Sequence, residues 1–165
     1  MNRGEPRSPQ PVLIAVGSNL GDRGYELRRS IHELRRVMRV VRISPVMETD
    51  PVDAPPGSGK FLNMVVAGWT RRRPAELLEE LHQIERGRQR VRRVHNEPRR
   101  IDLDLILYGA RIIRSRSLQV PHPRFRERSF VMDPIRMLNF PWVDPVTGSR
   151  LSSQSPPSLE PTSQL

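Results

Sequence analysis

Pro98-Arg99-Arg100-Ile101-Asp102-Leu103-Asp104-Leu105-Ile106-Leu107-Tyr108 enters a β-strand through a basic turn and places two carboxylates at i and i+2. Successive side chains along a strand point to opposite faces, so Asp102 and Asp104 share one face. Adjacent carboxylates repel unless a cation lies between them, and hard oxygen ligands favour Mg²⁺. Just upstream stand Arg86, Arg88, Arg90, Arg92, Arg93, Arg99 and Arg100. Metal-binding carboxylates beside planar guanidinium forks suit a polyphosphate. The plainer reading is an exposed strand face next to a solvated basic loop.

Outward from that strand, the pattern alternates strands with two helices. Val12–Val16 is an apolar run ending at Gly17, read as a buried strand. Asp22 can cap a helix whose apolar positions Leu27, Ile31, Leu34 and Met38 follow helical spacing. Val40–Val46 and Phe61–Thr70 read as strands, separated by a Pro- and Gly-rich loop over Thr49–Lys60. Pro74 opens a second helix with Leu77, Leu78, Leu81 and Ile84 as its core stripe. Arg86–Glu97 is a basic loop, and Arg111–Leu118 an edge hairpin. This order predicts an α+β layer, helices packed on one mainly antiparallel sheet. Residues 1–11 and 152–165 are rich in Pro, Ser and polar residues and are expected to be disordered, leaving one domain over 12–151.

The chain has 165 residues, enough for one real core, and no cysteine. Disulfides, thiolate zinc sites and cysteine nucleophiles are thereby excluded. No apolar run approaches a membrane span, and a cytoplasmic monomer without membrane contact is the expectation. The formal charge is +10, carried almost wholly by arginine, with Lys60 the single lysine. Most of these arginines read as solvated helix faces, although such a charge also leaves a nucleic-acid-binding module open.

Three tempting motifs fail. Gly17-Ser18-Asn19-Leu20-Gly21 joins a strand to a helix, but Asn19 stands where a dinucleotide fingerprint needs glycine. Gly57-Ser58-Gly59-Lys60 lacks the glycine at Ala54 and the hydroxyl at Phe61 that a P-loop requires. His32, His82, His95 and His122 show no zinc-hydrolase spacing. His122 alone is held between two prolines, Pro121 and Pro123, which present its imidazole on a stiff backbone.

Taken in order, the landmarks Ala15-Val16-Gly17-Ser18-Asn19-Leu20-Gly21-Asp22, Glu48-Thr49-Asp50-Pro51-Val52, Phe61-Leu62-Asn63, Glu85, the Arg88 region, Pro98-Arg99, Asp102-Leu103-Asp104, Pro121-His122-Pro123, Arg128 and Phe130 resemble the 6-hydroxymethyl-7,8-dihydropterin pyrophosphokinases of folate biosynthesis. The resemblance spans about Val12 to Leu151. It implies a ferredoxin-like fold and transfer of the β,γ-diphosphate of ATP to the pterin hydroxymethyl group, releasing AMP. It further implies two Mg²⁺ ions on Asp102 and Asp104, with ATP as co-substrate. Arg88, Arg90, Arg92, Arg99, His122 and Arg128 would be the catalytic, phosphate-facing groups. Glu85, Arg99, Ile106, His122 and Arg128 would contact ATP, while Thr49, Asp50, Val52, Phe61, Asn63 and Phe130 would line the pterin pocket. Phe61 and Phe130 would sandwich the flat ring, although each fits ordinary core packing equally well from spacing alone.

The chain departs from the family pattern at Glu97, which adds an anion before Pro98-Arg99, and at Asn96 and Asp53. These bear on loop geometry and rate. Two alternatives therefore stand beside the enzyme: an RNA-binding module on the same scaffold, and a slow, degenerate relative.

Overall fold

β1 (Gln10–Ser18) is the spine of the fold, and its register with two neighbours places the candidate residues of β4 and β5. The computed structural model describes residues 8–52, 56–87 and 100–152. β1 begins two residues before the expected Val12, and residues 1–7 and 153–165 of the expected tails lie outside the described residues.

α1 (Arg23–Val37) starts as its cap predicts: the Asp22 carboxylate accepts the Tyr25 N–H at 2.9 Å, satisfying a donor that the first helical turn leaves without a partner. The strand expected over Val40–Val46 is β2 (Arg39–Ile43), which stops before Pro45, and a short strand the sequence reading did not give, β3 (Met47–Thr49), follows. Pro45 has no N–H to give to a ladder, so pairing breaks there. Ser44 carries the chain across the break. Its backbone N–H donates to the Val65 carbonyl, and its hydroxyl accepts the Val65 N–H, both at 2.9 Å. β4 (Phe61–Thr70) and α2 (Pro74–Arg86) fall where expected, with Pro74 in the first turn and Glu76 accepting the Arg73 N–H at 2.7 Å. β5 (Asp102–Tyr108) is the carboxylate strand, followed by a two-rung hairpin of β6 (Ile113–Arg114) and β7 (Gln119–Val120).

The sheet runs β2-β4-β1-β5, with β3 continuing beside β4, and every pairing is antiparallel. This is the expected ferredoxin-like α+β arrangement. α1 and α2 cover one face, where Leu27, Leu34, Leu77 and Leu81 meet Val12, Ile14 and Val16. The opposite face carries a helix that the sequence reading did not anticipate, α3 (Ser129–Met137). Pro134 within it breaks the usual helical reading, yet Val131 and Ile135 pack on Leu13, Val65 and Phe125. Among the described residues, no helix is long and apolar enough to cross a membrane.

One irregularity matters for the site. Leu13 pairs with Leu107 and Ile14 with Leu105, so Ile106 is an extra residue in β5. Such a bulge leaves one residue outside the ladder. The Ile106 carbonyl accepts the backbone N–H of His122 at 3.0 Å.

Candidate active site

Strand parity assembles the site before any side-chain contact is considered. Leu13 and Val65 face α3, so Ala15, Gly17, Phe61 and Asn63, each an even number of residues away, face the same side. The register sets Asn63 opposite Gly17 and Gly17 opposite Asp102, with Val65, Ala15 and Asp104 in the next row. Strands lie about 4.8 Å apart, so Asn63 and Asp102 stand roughly 10 Å from each other across a glycine. The amide and the carboxylates thus share one face at one end of the sheet.

On the β4 side, Asn63 is buried and its amide donates to the Thr49 hydroxyl at 2.7 Å, which orients the remaining amide oxygen. That oxygen would sit 3.0 Å from a Cβ built on Gly17, and the Phe61 ring edge would sit 3.7 Å away. Glycine is what lets both side chains lie over β1. Asp50 lies at the rim, exposed, 3.7 Å from the Lys60 ammonium. Val52 stands in solvent, 63% exposed.

On the β5 side, Asp102 and Asp104 are half-buried on the shared face. The Arg128 guanidinium approaches Asp104 at 3.5 Å and lies 5.6 Å from the centre of the Phe130 ring. That contact links α3's first turn to the carboxylate strand. From the opposite face, Glu85 at the end of α2 accepts the Leu103 N–H at 2.7 Å and hydrogen-bonds Asp102. Burial foremost, then the Asp102 charge, raises the Glu85 carboxyl to about 7, against the pull of the Leu103 N–H. Glu85 therefore exchanges its proton near neutrality.

His122 is held through its backbone to the Ile106 bulge, and its Nδ1 accepts the Arg124 N–H at 3.2 Å. Burial first, then the Arg128 charge, lowers its pKa, so the ring is neutral with its proton on Nε2. The imidazole thus offers one hydrogen-bond donor. Ile106 itself is fully buried in the α3-side core, and its carbonyl accepts the His122 N–H. Arg88, Arg90, Arg92 and Arg99 lie outside the described residues, as do Asp53, Asn96 and Glu97.

Two features escape the sequence reading. One is the steric role of Gly17. The other is Glu26, buried on α1, whose carboxylate lies 3.6 Å from Arg100 at the entrance of β5. Its only signal is an acid beside the core position Leu27.

Mg²⁺ prefers one or two carboxylates together with water and substrate oxygens over a closed protein cage. Asp102 and Asp104 fit that habit. Among the described residues, no group of three or more His, Cys, Asp or Glu forms a fuller cage.

The family model described as 7,8-dihydro-6-hydroxymethylpterin-pyrophosphokinase matches residues 13–140. The 2-amino-4-hydroxy-6-hydroxymethyldihydropteridine pyrophosphokinase of Bacillus subtilis is 43% identical over 126 residues, covering 75% of each chain. That of Aquifex aeolicus is 32% identical over 145 residues, covering 88% of this chain and 90% of its own. The folic acid synthesis protein fol1 of Pneumocystis carinii is 38% identical over 148 residues, which is 87% of this chain but 20% of that longer protein. Among solved structures, Plasmodium falciparum HPPK-DHPS superposes with a TM-score of 0.71 at 12% identity, over 90% of this chain and 44% of that one. The register of the sheet, the ordered landmarks and these relatives agree: the chain belongs to the 7,8-dihydro-6-hydroxymethylpterin-pyrophosphokinase family.

Proposed function

We propose that the protein transfers the β,γ-diphosphate of ATP to the hydroxymethyl group of 6-hydroxymethyl-7,8-dihydropterin, releasing AMP. The observation that carries this reading is the row Asn63–Gly17–Asp102 across β4, β1 and β5. A donor–acceptor amide suited to a flat heterocycle stands roughly 10 Å from a carboxylate pair suited to a phosphate-bound cation.

In this reading the pterin oxygen bonds to the β-phosphorus of ATP, and the bond from that phosphorus to the AMP oxygen breaks. The hydroxyl proton leaves to solvent or to a phosphate oxygen. Asn63 and Thr49 hold the heterocycle's polar edge, and Phe61 and Phe130 enclose its faces. Asp102 and Asp104 would hold Mg²⁺, which when bound neutralises phosphate charge. The Nε2 proton of His122 donates to a phosphate oxygen, and Arg128 shifts from Asp104 towards the same anion. Positioning and charge stabilisation supply the catalysis, with little covalent work for the protein. By resemblance Arg88, Arg90, Arg92 and Arg99 would add cations from residues outside those described. The proposal includes a cytoplasmic monomer. Membership of an enzyme family leaves the RNA-binding alternative unfavoured.

The test is AMP release from ATP and Mg²⁺, with and without the pterin, for the native protein and Asp102→Ala. Pterin-dependent AMP that the substitution abolishes supports both the reaction and the metal strand. Tight binding of both substrates without AMP identifies a degenerate relative, and failure to bind either one overturns the reading.

A further inference from the structure

Arg23, the first residue of α1, is a cation where a helix favours anions, because the first turn leaves its N–H groups without helical partners. Its guanidinium instead joins two strands. One Nη donates to the Lys60 carbonyl at 2.7 Å, and the other lies 3.0 Å from the Glu48 carboxylate. Glu48 lies in β3 and Lys60 immediately precedes β4, so the two contacts straddle the mouth of the Pro- and Gly-rich loop. The returning end of that loop rests on the turn that leads into α1: a Cβ at Gly59 would lie 3.4 Å from the Asn19 carbonyl.

The last rungs divide their side chains between two faces. β3 is a three-residue edge strand, paired with β4 through Met47–Asn63, Glu48–Leu62 and Thr49–Phe61. Leu62 packs against the core under α1 and α2, so Glu48, opposite it, faces the helices and meets Arg23 there. Thr49, Phe61 and Asn63 face the other side, and the Asn63 amide donates to the Thr49 hydroxyl at 2.7 Å. One guanidinium thus clamps from behind the rungs whose front carries three of the residues assigned to the pterin. A second cross-link over the mouth, Lys60 to Asp50 at 3.7 Å, is looser: its side chains are 57% and 85% exposed, against 30% for Arg23. Exposed pairs are screened, and long side chains lose entropy in holding them.

We propose that Arg23 is a positioning residue for the pterin pocket. By holding Glu48 and Lys60 at a fixed separation it sets the spacing of Thr49 and Phe61, and through Thr49 the orientation of the Asn63 amide. The planar fork suits this task, since its two nitrogens serve both acceptors at once, whereas an ammonium is a single point of charge. The inference rests on the function proposed above, and Arg23 itself touches neither substrate in it.

The experiment compares the full native chain with Arg23→Met, which keeps an apolar stem and removes both contacts. Calorimetric titration with Mg²⁺ and α,β-methylene-ATP, whose methylene replaces the oxygen at which transfer breaks the chain, gives nucleotide affinity. Titration of that complex with 6-hydroxymethyl-7,8-dihydropterin gives pterin affinity. Arg23→Met should weaken the pterin about tenfold and leave the nucleotide unchanged within about twofold, a split that a general lesion in the fold would not produce. Arg23→Lys, which keeps the charge but satisfies one acceptor at a time, should fall between the two. Native-like pterin binding by Arg23→Met overturns the inference, as does an equal loss for both ligands. Should Arg23→Met not fold, native-like pterin binding by Arg23→Lys overturns it. A native chain that binds the nucleotide and no pterin overturns the proposed function and this inference with it. Native binding that is indifferent to residue 23 overturns this inference alone.

Discussion

The amide oxygen of Asn63 occupies the space directly above Gly17, close enough that a Cβ at residue 17 would lie 3.0 Å from it. This contact is tight but involves a side-chain tip, and the backbone of residue 17 is ordinary extended strand. Gly17→Ala should therefore fold, while pushing Asn63 and Phe61 off the surface of β1. We expect pterin affinity to fall about tenfold with ATP affinity unchanged, roughly 1.4 kcal/mol for the tenfold factor. Calorimetric titration of each substrate checks this, and equal losses for both would refute the steric account.

Glu85 links proton binding to folding. Its ordinary value is 4.5 and its folded value about 7, so the folded protein holds that proton more tightly than the unfolded chain. The resulting stabilisation is complete below pH 4.5 and is lost as pH rises through 7, on the order of 3 kcal/mol. His122, with its lowered pKa, tilts stability the other way nearby, so a comparison isolates Glu85. The metal-free native protein should lose stability relative to Glu85→Gln between pH 5 and pH 8. Parallel denaturant curves at the two pH values would remove the assignment.

A second carboxylate works at the acid limit. Asp144 is buried and receives two hydrogen bonds from Arg126, at 2.6 and 2.7 Å. That guanidinium holds Asp144 down to about 2 from an ordinary 3.8. The stabilisation is present above pH 3.8 and disappears as pH falls through 2, about 2 kcal/mol. Arg126→Leu should cost about 3 kcal/mol at pH 7, because it strands a buried charge. Chemical denaturation of the variant measures it, and a loss below 1 kcal/mol would show the pair to be solvated.

Ser44 takes the place of a missing ladder rung between β2 and β3. Ser44→Ala keeps the backbone bond to Val65 but leaves the Val65 N–H, deep under α3, without its acceptor. The expected cost is about 1–3 kcal/mol. Ser44→Thr, which keeps the hydroxyl, should recover most of it.

Much of this architecture was readable from sequence for concrete reasons. Asp22, Pro74 and the alternation through Asp102 and Asp104 are local signals, and local signals survive folding. α3 was not readable, because Pro134 contradicts helix interior rules and only packing of Val131 and Ile135 on the sheet overrides it. Pro45 stands towards the end of the strand expected over Val40–Val46, and the short strand beyond it, Met47–Thr49, carries too few residues to show an alternation of its own. Within the site, landmark residues named the partners, but only register shows that Gly17 must be small. Nor does the sequence show what Ile106 does in the fold, where its side chain is core and its carbonyl holds the His122 backbone.

The extra residue at Ile106 also acts as a phase shifter along β5. Downstream of it Leu107 and Tyr108 keep their places in the core, while upstream the carboxylates keep theirs over β1. Deleting Ile106 would set Leu105 and Leu107 side by side in regular alternation, so both halves of β5 would keep their faces, while a fully buried side chain and the anchor of His122 would be lost. The bulge thus adds a residue to β5 without disturbing the alternation on either side, and that residue's side chain fills the α3-side core while its carbonyl holds the backbone of His122.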